Sequence, residues 1–249
     1  MTDNKMEGEQ QQPTPVQEMD DEPILDHDTL LSQAEEKKAE GNTHYSAGEY
    51  SEAVSLYSEA INLCPAGAVQ APFYGNRSAA HLMLKQYGKA MDDSQRAIEL
   101  DSTFAKGYNR ISKVYIAQGK YDLAKQALND QTSKTKVRAT QKELQDIDQL
   151  QQQWQHIQNI LEQKSYSAVL YQSNALLEKS PASIPLQIAQ CDAMIGLKQY
   201  EKAKTLSTEL YKLEPRNSEV LRVRGLAMYY TGNLEMAQKH FSEVLRFDP

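Results

Sequence analysis

From Ser32 onward, apolar residues recur three or four positions apart, the spacing that places side chains along one face of an α-helix. No stretch shows the strict alternation of apolar and polar residues that marks a half-buried strand. Ser32 and Glu35 have the spacing of a helix capping box, so we expect the first helix to begin there. The pattern predicts an all-α protein.

The helical pattern repeats along the chain. Tyr166, Tyr200 and Leu234 are 34 residues apart, and prolines at 181, 215 and 249 have the same spacing. A period of 34 with small residues at helix crossings is typical of the tetratricopeptide repeat (TPR), a helix hairpin that stacks on its neighbours. The same position opens the second helix of every unit: Tyr50, Tyr87, Tyr121, Tyr166, Tyr200 and Leu234. Six units are predicted, at about 34–67, 71–104, 105–138, 150–183, 184–217 and 218–249.

One irregular step divides these units into two arrays of three. Tyr121 and Tyr166 are 45 residues apart, and no proline or glycine occurs from Gln131 to Lys164. We expect one long helix here, which closes the first array and runs into the second, with Trp154 as a core anchor at the joint. The predicted parts are a tail (1–30), array 1 (31–138), and the connecting helix with array 2 (139–249). Stacking predicts a right-handed superhelix whose concave face is formed by the first helices.

The charge is concentrated at the N-terminus. Residues 1–30 contain nine acidic side chains and one lysine, within a chain of formal net charge −7, so the remainder is nearly neutral. Low apolar content predicts that this acidic segment is disordered. The sequence lacks the basic stripe that is expected of a nucleic-acid-binding protein, so we do not predict nucleic acid as a partner.

Five polar residues on the predicted first helices of array 1 have the chemistry to bind a carboxylate. Lys38 and Asn42 are one helical turn apart, as are Lys106 and Arg110, so each pair lies on one helix face, and Asn76 falls between them. Ammonium, guanidinium and amide N–H groups are the donors that a carboxylate accepts best. We therefore predict a peptide-binding scaffold that captures a free C-terminus.

The motifs "EGN", "YGNRSAA" and "KGYNR" resemble the carboxylate-clamp TPR domains of Hsp70 and Hsp90 cochaperones. The resemblance implies that Lys38, Asn42, Asn76, Lys106 and Arg110 grip the terminal aspartate of the acidic EEVD tail of Hsp70 or Hsp90. It also makes Tyr45, Phe73, Tyr74 and Tyr108 candidates for the apolar wall of the groove. The six-repeat layout is similar to the TPR-containing DnaJ cochaperones, although no His-Pro-Asp tripeptide of a J domain is present.

The second array departs from the clamp pattern. The corresponding positions are Trp154, Gln158, Ala189, Glu219 and Val223, which lack the cations. We expect no carboxylate there, and this face either binds another ligand, such as a client polypeptide, or serves as scaffold. Two alternatives also stay open for the chain: an adaptor for a different C-terminal peptide, and the TPR fragment of a longer J-domain protein.

Other function classes lack support in the sequence. No nucleophile, base and acid are arranged for catalysis, no histidines and cysteines have metal-binding spacing, and no glycine-rich phosphate loop occurs. These observations predict a non-enzyme without cofactor or metal. The sequence contains only two cysteines, which predicts a reducing compartment, the cytoplasm or the nucleus. It contains no run of eighteen apolar residues, so we predict no membrane-spanning helix.

Overall fold

The computed structural model describes residues 26–64, 68, 70–139 and 141–247. Within these residues the chain forms twelve α-helices and no strands, in six consecutive hairpins. The hairpins are α1 (His27–Ala47) with α2 (Tyr50–Leu63), α3 (Ala71–Met83) with α4 (Tyr87–Leu100), α5 (Ala105–Ala117) with α6 (Tyr121–Lys134), α7 (Gln141–Glu162) with α8 (Tyr166–Leu177), α9 (Ile184–Gly196) with α10 (Tyr200–Leu213), and α11 (Ser218–Tyr230) with α12 (Leu234–Phe247). The predicted all-α helical repeat is confirmed.

Each hairpin turns through one residue in the left-handed region of φ. This residue lies two positions before the first residue of the second helix in all six hairpins. The positions are Gly48 (φ 83°), Lys85 (57°), Gly119 (73°), Lys164 (59°), Lys198 (59°) and Gly232 (85°). Glycine adopts this conformation without steric cost, whereas the three lysines carry a Cβ that crowds the following carbonyl.

The two helices of a hairpin approach closely where an aromatic ring packs on a glycine. A Cβ built on Gly41 of α1 would lie 2.7 Å from Cε1 of Tyr57 in α2, and the Tyr57 side chain is fully buried. Gly225 of α11 faces Phe241 of α12 in the same way, at 2.6 Å. These small residues set the helix crossing that the repeat pattern predicts.

The first helix begins earlier than expected. Asp26 is the N-cap of α1, and its Oδ1 accepts a 2.7 Å hydrogen bond from the backbone N–H of Thr29. Ser32 lies inside the helix, so the predicted capping box at Ser32 is wrong. Residues 27–30, the end of the predicted tail, are helical. Residues 1–25 of that tail lie outside the described residues.

The two arrays are joined by α7, but not by one continuous helix. α6 ends at Lys134 and α7 begins at Gln141, which corrects the uninterrupted helix predicted from Gln131. Two threonine hydroxyls stabilise the break: the backbone N–H of Val137 donates to Oγ1 of Thr135 (3.0 Å), and that of Ala139 to Oγ1 of Thr132 (3.2 Å). Such side chains compete with helical hydrogen bonding.

α7 nevertheless packs on both arrays. Ile147, near its start, belongs to a buried cluster with Tyr121 and Leu128 of α6, while Ile157 packs with Val169 of α8. Trp154 contacts both clusters, as predicted for a core anchor at the joint. The arrays also contact directly, because the hydroxyls of Tyr121 and Ser180 form a 2.9 Å hydrogen bond, and the Ala182 N–H donates to the Ala117 carbonyl (2.8 Å).

Candidate functional site

The five predicted clamp residues lie on the first helices of the first three hairpins. Lys38 and Asn42 belong to α1, Asn76 to α3, and Lys106 and Arg110 to α5. Since consecutive first helices are neighbours in a stacked array, these side chains come from three adjacent elements of one surface.

Asn42 and Asn76 are in direct contact. Oδ1 of Asn42 accepts two hydrogen bonds, one of 2.9 Å from Nδ2 of Asn76 and one of 2.8 Å from the hydroxyl of Tyr57. Two donors on the same oxygen settle the orientation of the Asn42 amide. Its Nδ2 group donates to no other described side chain and is available to an acceptor outside the chain.

Arg110 is the most unusual of the five residues. Its Nη1 is buried and donates no hydrogen bond to any described residue. Burial lowers the pKa of the guanidinium, although Tyr45 and Tyr57 nearby partly oppose that shift. An arginine stays charged at any physiological pH, and a buried charge without a partner is costly. The position of Arg110 therefore favours an anion supplied by a ligand.

Arg110 lies in a groove of about 440 Å³ with a strongly cationic lining. Lys106, Arg110 and Lys113 line it, and the described lining contains no carboxylate. Oε1 of Gln131 in the same wall is buried without a hydrogen-bond partner among the described residues. The other lining residues are Tyr45, Ala79, Leu82, Met83, Ala105, Asn109 and Val137. The groove thus combines three cations, an apolar wall and one free buried acceptor.

Of the five predicted clamp residues, Lys106 and Arg110 line this groove, whereas Lys38, Asn42 and Asn76 do not. Lys38 has other partners. Its ammonium forms an ion pair with Glu35 on the same helix and lies 4.7 Å from the centroid of the Phe73 ring. The exposed carboxylate of Glu35 is a weak competitor, because surface ion pairs of this kind contribute little.

Of the four candidates for the apolar wall, the structure places Tyr45 in the groove lining and the other three elsewhere. Phe73 is fully buried in a core cluster with Ala34 and Ala60. Tyr108 is buried, and its hydroxyl donates to the carbonyl of Ser102 (3.0 Å). The ring of Tyr74 stacks against the guanidinium of Arg77, 5.4 Å away. Phe73, Tyr74 and Tyr108 therefore do not line the groove that Lys106 and Arg110 share, and their contact with a peptide stays a prediction.

Two residues of this site were missed by sequence reasoning. Lys113 lies seven residues after Lys106 on α5, two helical turns away, so the spacing could have identified it. Tyr57 also belongs to the site, because its hydroxyl donates a hydrogen bond to Asn42. Burial raises the pKa of Tyr57 to about 12, which keeps this donor protonated.

Comparison with known proteins agrees with the fold. The family model described as tetratricopeptide repeat matches residues 105–133. The crystal structure of the P58(IPK) TPR domain aligns with 86% of this chain and 60% of its own, with a TM-score of 0.62 and 19% identity. This chain is a tetratricopeptide-repeat protein.

The TPR protein has relatives along most of its length. It is 35% identical over 222 residues to a DnaJ homolog subfamily C member 7 homolog of Dictyostelium discoideum, covering 86% of this chain and 40% of that protein. It is 29% identical to DnaJ homolog subfamily C member 7 of Homo sapiens, covering 91% of this chain and 45% of the human protein. The chain spans less than half the length of these curated relatives.

The second array of the TPR protein carries a different groove, of about 720 Å³. Four of the positions that correspond to the clamp line it: Trp154, Gln158, Ala189 and Glu219. The fifth, Val223, is buried in a core cluster with Cys191 and Leu210. No helix among the described residues is long and apolar enough to cross a membrane.

Proposed function

We propose that this TPR protein is a non-enzymatic cochaperone adaptor that binds the acidic C-terminal tail of Hsp70 and/or Hsp90 in the cytoplasm or the nucleus. The observation that carries the proposal is the buried, unpartnered Nη1 of Arg110 in a groove with three cations and no carboxylate among its described lining. The two carboxylates of a C-terminal aspartate supply the acceptors that this groove lacks.

In the proposed complex four of the five clamp residues donate to the peptide, and Asn76 positions Asn42 through its hydrogen bond to Oδ1. Arg110 and Lys106 donate to the terminal carboxylate, and Asn42 donates through the Nδ2 group that its contacts with Asn76 and Tyr57 leave open. Lys38 joins them after it leaves Glu35. Charge-assisted hydrogen bonds of this kind are worth about 1.5–3 kcal/mol each.

The rest of the groove contacts the residues of the bound peptide that precede its C-terminal aspartate. Lys113 lies toward an upstream acidic side chain of the peptide, and the free Oε1 of Gln131 accepts from a peptide N–H. Tyr45, Leu82 and Met83 contact an apolar side chain between them. The names of relatives support the assignment, since DnaJ homolog subfamily C members are among them.

Peptide titration tests the proposal. Peptides ending in Glu-Glu-Val-Asp, with the upstream residues of Hsp70 or of Hsp90, are titrated as free acids and as C-terminal amides. We expect micromolar binding of the free acids, roughly tenfold or greater weakening on amidation, and a similar loss in Lys106→Ala and Arg110→Ala. Lys89→Ala, an exposed lysine of α4, is the matched control and retains full affinity.

The same titration separates the alternatives. Equal affinity for acid and amide, or no effect of Lys106→Ala and Arg110→Ala, would overturn the carboxylate grip. Binding of free-acid peptides with unrelated upstream residues at equal strength would favour an adaptor for a different C-terminal sequence.

A further inference from the structure

The second array offers a groove whose charge is opposite to that of the first. Its described lining holds four carboxylates, of Glu162, Asp192, Glu214 and Glu219, against two cations, of Lys120 and Arg222. The groove of the first array is lined by three cations and no carboxylate within the described chain. The described linings of the two grooves therefore carry opposite charge.

The positive charge of Arg222 is already neutralised within the protein. Its Nη1 and Nη2 donate to Oδ1 and Oδ2 of Asp192 at 2.9 and 2.7 Å, and its Nε donates to Oε2 of Glu219 at 2.8 Å. Two carboxylates surround one guanidinium, so this cluster retains a negative charge. Arg222 cannot serve as a receptor for an anionic ligand without losing these bonds.

The floor of the groove is apolar. Trp154, Leu161, Ile184, Ile188, Ala189 and Leu213 line it, drawn from α7, α9 and the end of α10. Leu213 is 68% exposed, a large fraction for a leucine, and it lies at the rim. Clefts of a few hundred Å³ with apolar lining and a few polar groups are typical ligand sites. This one is an open trough rather than an enclosed cavity, which suits an extended chain.

We propose that the concave groove of the second array binds an extended polypeptide segment in which a lysine or arginine stands beside large aliphatic residues. The aliphatic side chains cover the floor between Trp154, Ile188 and Leu213. The basic side chain meets the carboxylates of Glu162 and of the cluster formed by Asp192 and Glu219. The acidic lining disfavours an acidic tail at this site, so the groove of the second array takes a segment opposite in charge to that expected for the first.

The test uses a fluorescein-labelled peptide, Ala-Leu-Arg-Ile-Leu-Lys-Ala, with an amidated C-terminus so that it offers no terminal carboxylate. Fluorescence anisotropy is measured with the full chain. We expect saturable binding that weakens as salt is added, and at least fivefold weaker binding of a control peptide with glutamate in place of both basic residues.

Two exposed rim positions allow substitution without loss of core packing. Glu162→Lys reverses a carboxylate, and Leu213→Ser removes an exposed apolar side chain. Each is expected to weaken binding about three- to tenfold. Glu178→Lys and Leu245→Ser lie outside the groove and keep wild-type affinity, and circular dichroism checks that every variant is folded.

Three results would overturn the proposal. These are no saturable binding by the wild-type chain, equal binding of the basic and the glutamate peptides, and equal affinity of all four variants.

A competition experiment separates this site from the proposed carboxylate clamp. We expect that a saturating free-acid Glu-Glu-Val-Asp peptide leaves binding of the basic peptide unchanged. If it displaces the basic peptide, both peptides bind in one groove and the assignment is contradicted. Because neither probe requires the other, one proposal can fail while the other stands.

Discussion

Nδ2 of Asn76 donates a 2.9 Å hydrogen bond to Oδ1 of Asn42, a residue 34 positions earlier in the chain. Asn42 lies on α1 and Asn76 on α3, so the first helices of adjacent hairpins are joined side chain to side chain. The same oxygen also accepts from Tyr57 on the second helix of the first hairpin. One amide thus connects three helices beside the groove, and it couples the shape of the site to the packing of the repeat.

This network predicts a non-additive mutant cycle. Asn42→Ala leaves the buried Tyr57 hydroxyl without an acceptor, at a cost of about 1–3 kcal/mol in the free energy of unfolding. Tyr57→Phe removes that hydroxyl and should cost about 0.5–1.5 kcal/mol. In the double variant the unpaired group is gone, so urea denaturation should give a total smaller than the sum. Additive costs would show that the 2.8 Å contact contributes nothing.

The glycine at the first hairpin crossing predicts a pair of substitutions with opposite effects. In Gly41→Ala the new methyl would lie 2.7 Å from a ring that is fully buried and cannot move aside, so we expect a loss of about 1–3 kcal/mol. Gly88→Ala is the control, because a Cβ there meets nothing within 4 Å inside α4. It should gain about 0.5–1 kcal/mol in thermal or urea unfolding, from helix propensity alone. Equal losses at both positions would contradict this account of the crossing.

Much of the scaffold could be predicted because the equivalent position in each hairpin carries a similar residue, so each local interpretation is supported by several hairpins. Tyr50, Tyr87, Tyr121, Tyr166 and Tyr200 each open a second helix, as the pattern indicated, and Leu234 does the same. A position that recurs once in every hairpin reports the same local packing six times. The break after Lys134 occurs once, and it depends on two threonine hydroxyls that carry no periodic signal.

The walls of the candidate site were harder to predict than its helices. Adjacent residues on a helix are rotated by about 100°, so a correct helix assignment does not decide which aromatic ring faces the groove. Phe73 turns into the core, while Tyr45 faces the groove. The sequence alone also does not identify Glu35 as the ion-pair partner of Lys38, since several acidic residues lie nearby in the chain. Side-chain direction required the packed structure.

The lysines in the hairpin turns predict a simple route to higher stability. Lys85 and Lys198 have φ values of 57° and 59°, where a residue with a Cβ is disfavoured by about 1–2 kcal/mol. Glycine relieves this strain but loses more entropy on folding, so Lys85→Gly and Lys198→Gly should each gain about 0.5–1 kcal/mol. Gly48→Ala is the reverse case, because only its φ of 83° opposes a side chain there, and it should lose stability. Melting temperatures that fall in both glycine variants would refute the assignment.

His240 predicts a pH dependence with a definite sign. Its ring is buried, Nε2 has no partner among the described residues, and the Tyr211 ring packs against it. Burial, with the positive charge of Arg224, lowers the pKa of His240, and the contact with Glu243 opposes this only in part. The unfolded chain binds a proton near the ordinary value of about 6.5, whereas the folded chain resists it until lower pH. The contribution of neutral His240 to stability is therefore present above that value and is lost as pH falls below it.

The measurement is urea unfolding of wild type and His240→Phe from about pH 7.5 to about pH 5.5. A phenylalanine does not titrate, so the stability of wild type relative to the variant should decrease across this range as the unfolded histidine becomes protonated. His156→Gln is the matched control, since His156 is exposed on α7, and its stability should follow that of wild type. If the curves of wild type and His240→Phe stay parallel, the buried ring titrates as freely in the folded protein as in the unfolded chain, and its burial has no effect on protonation.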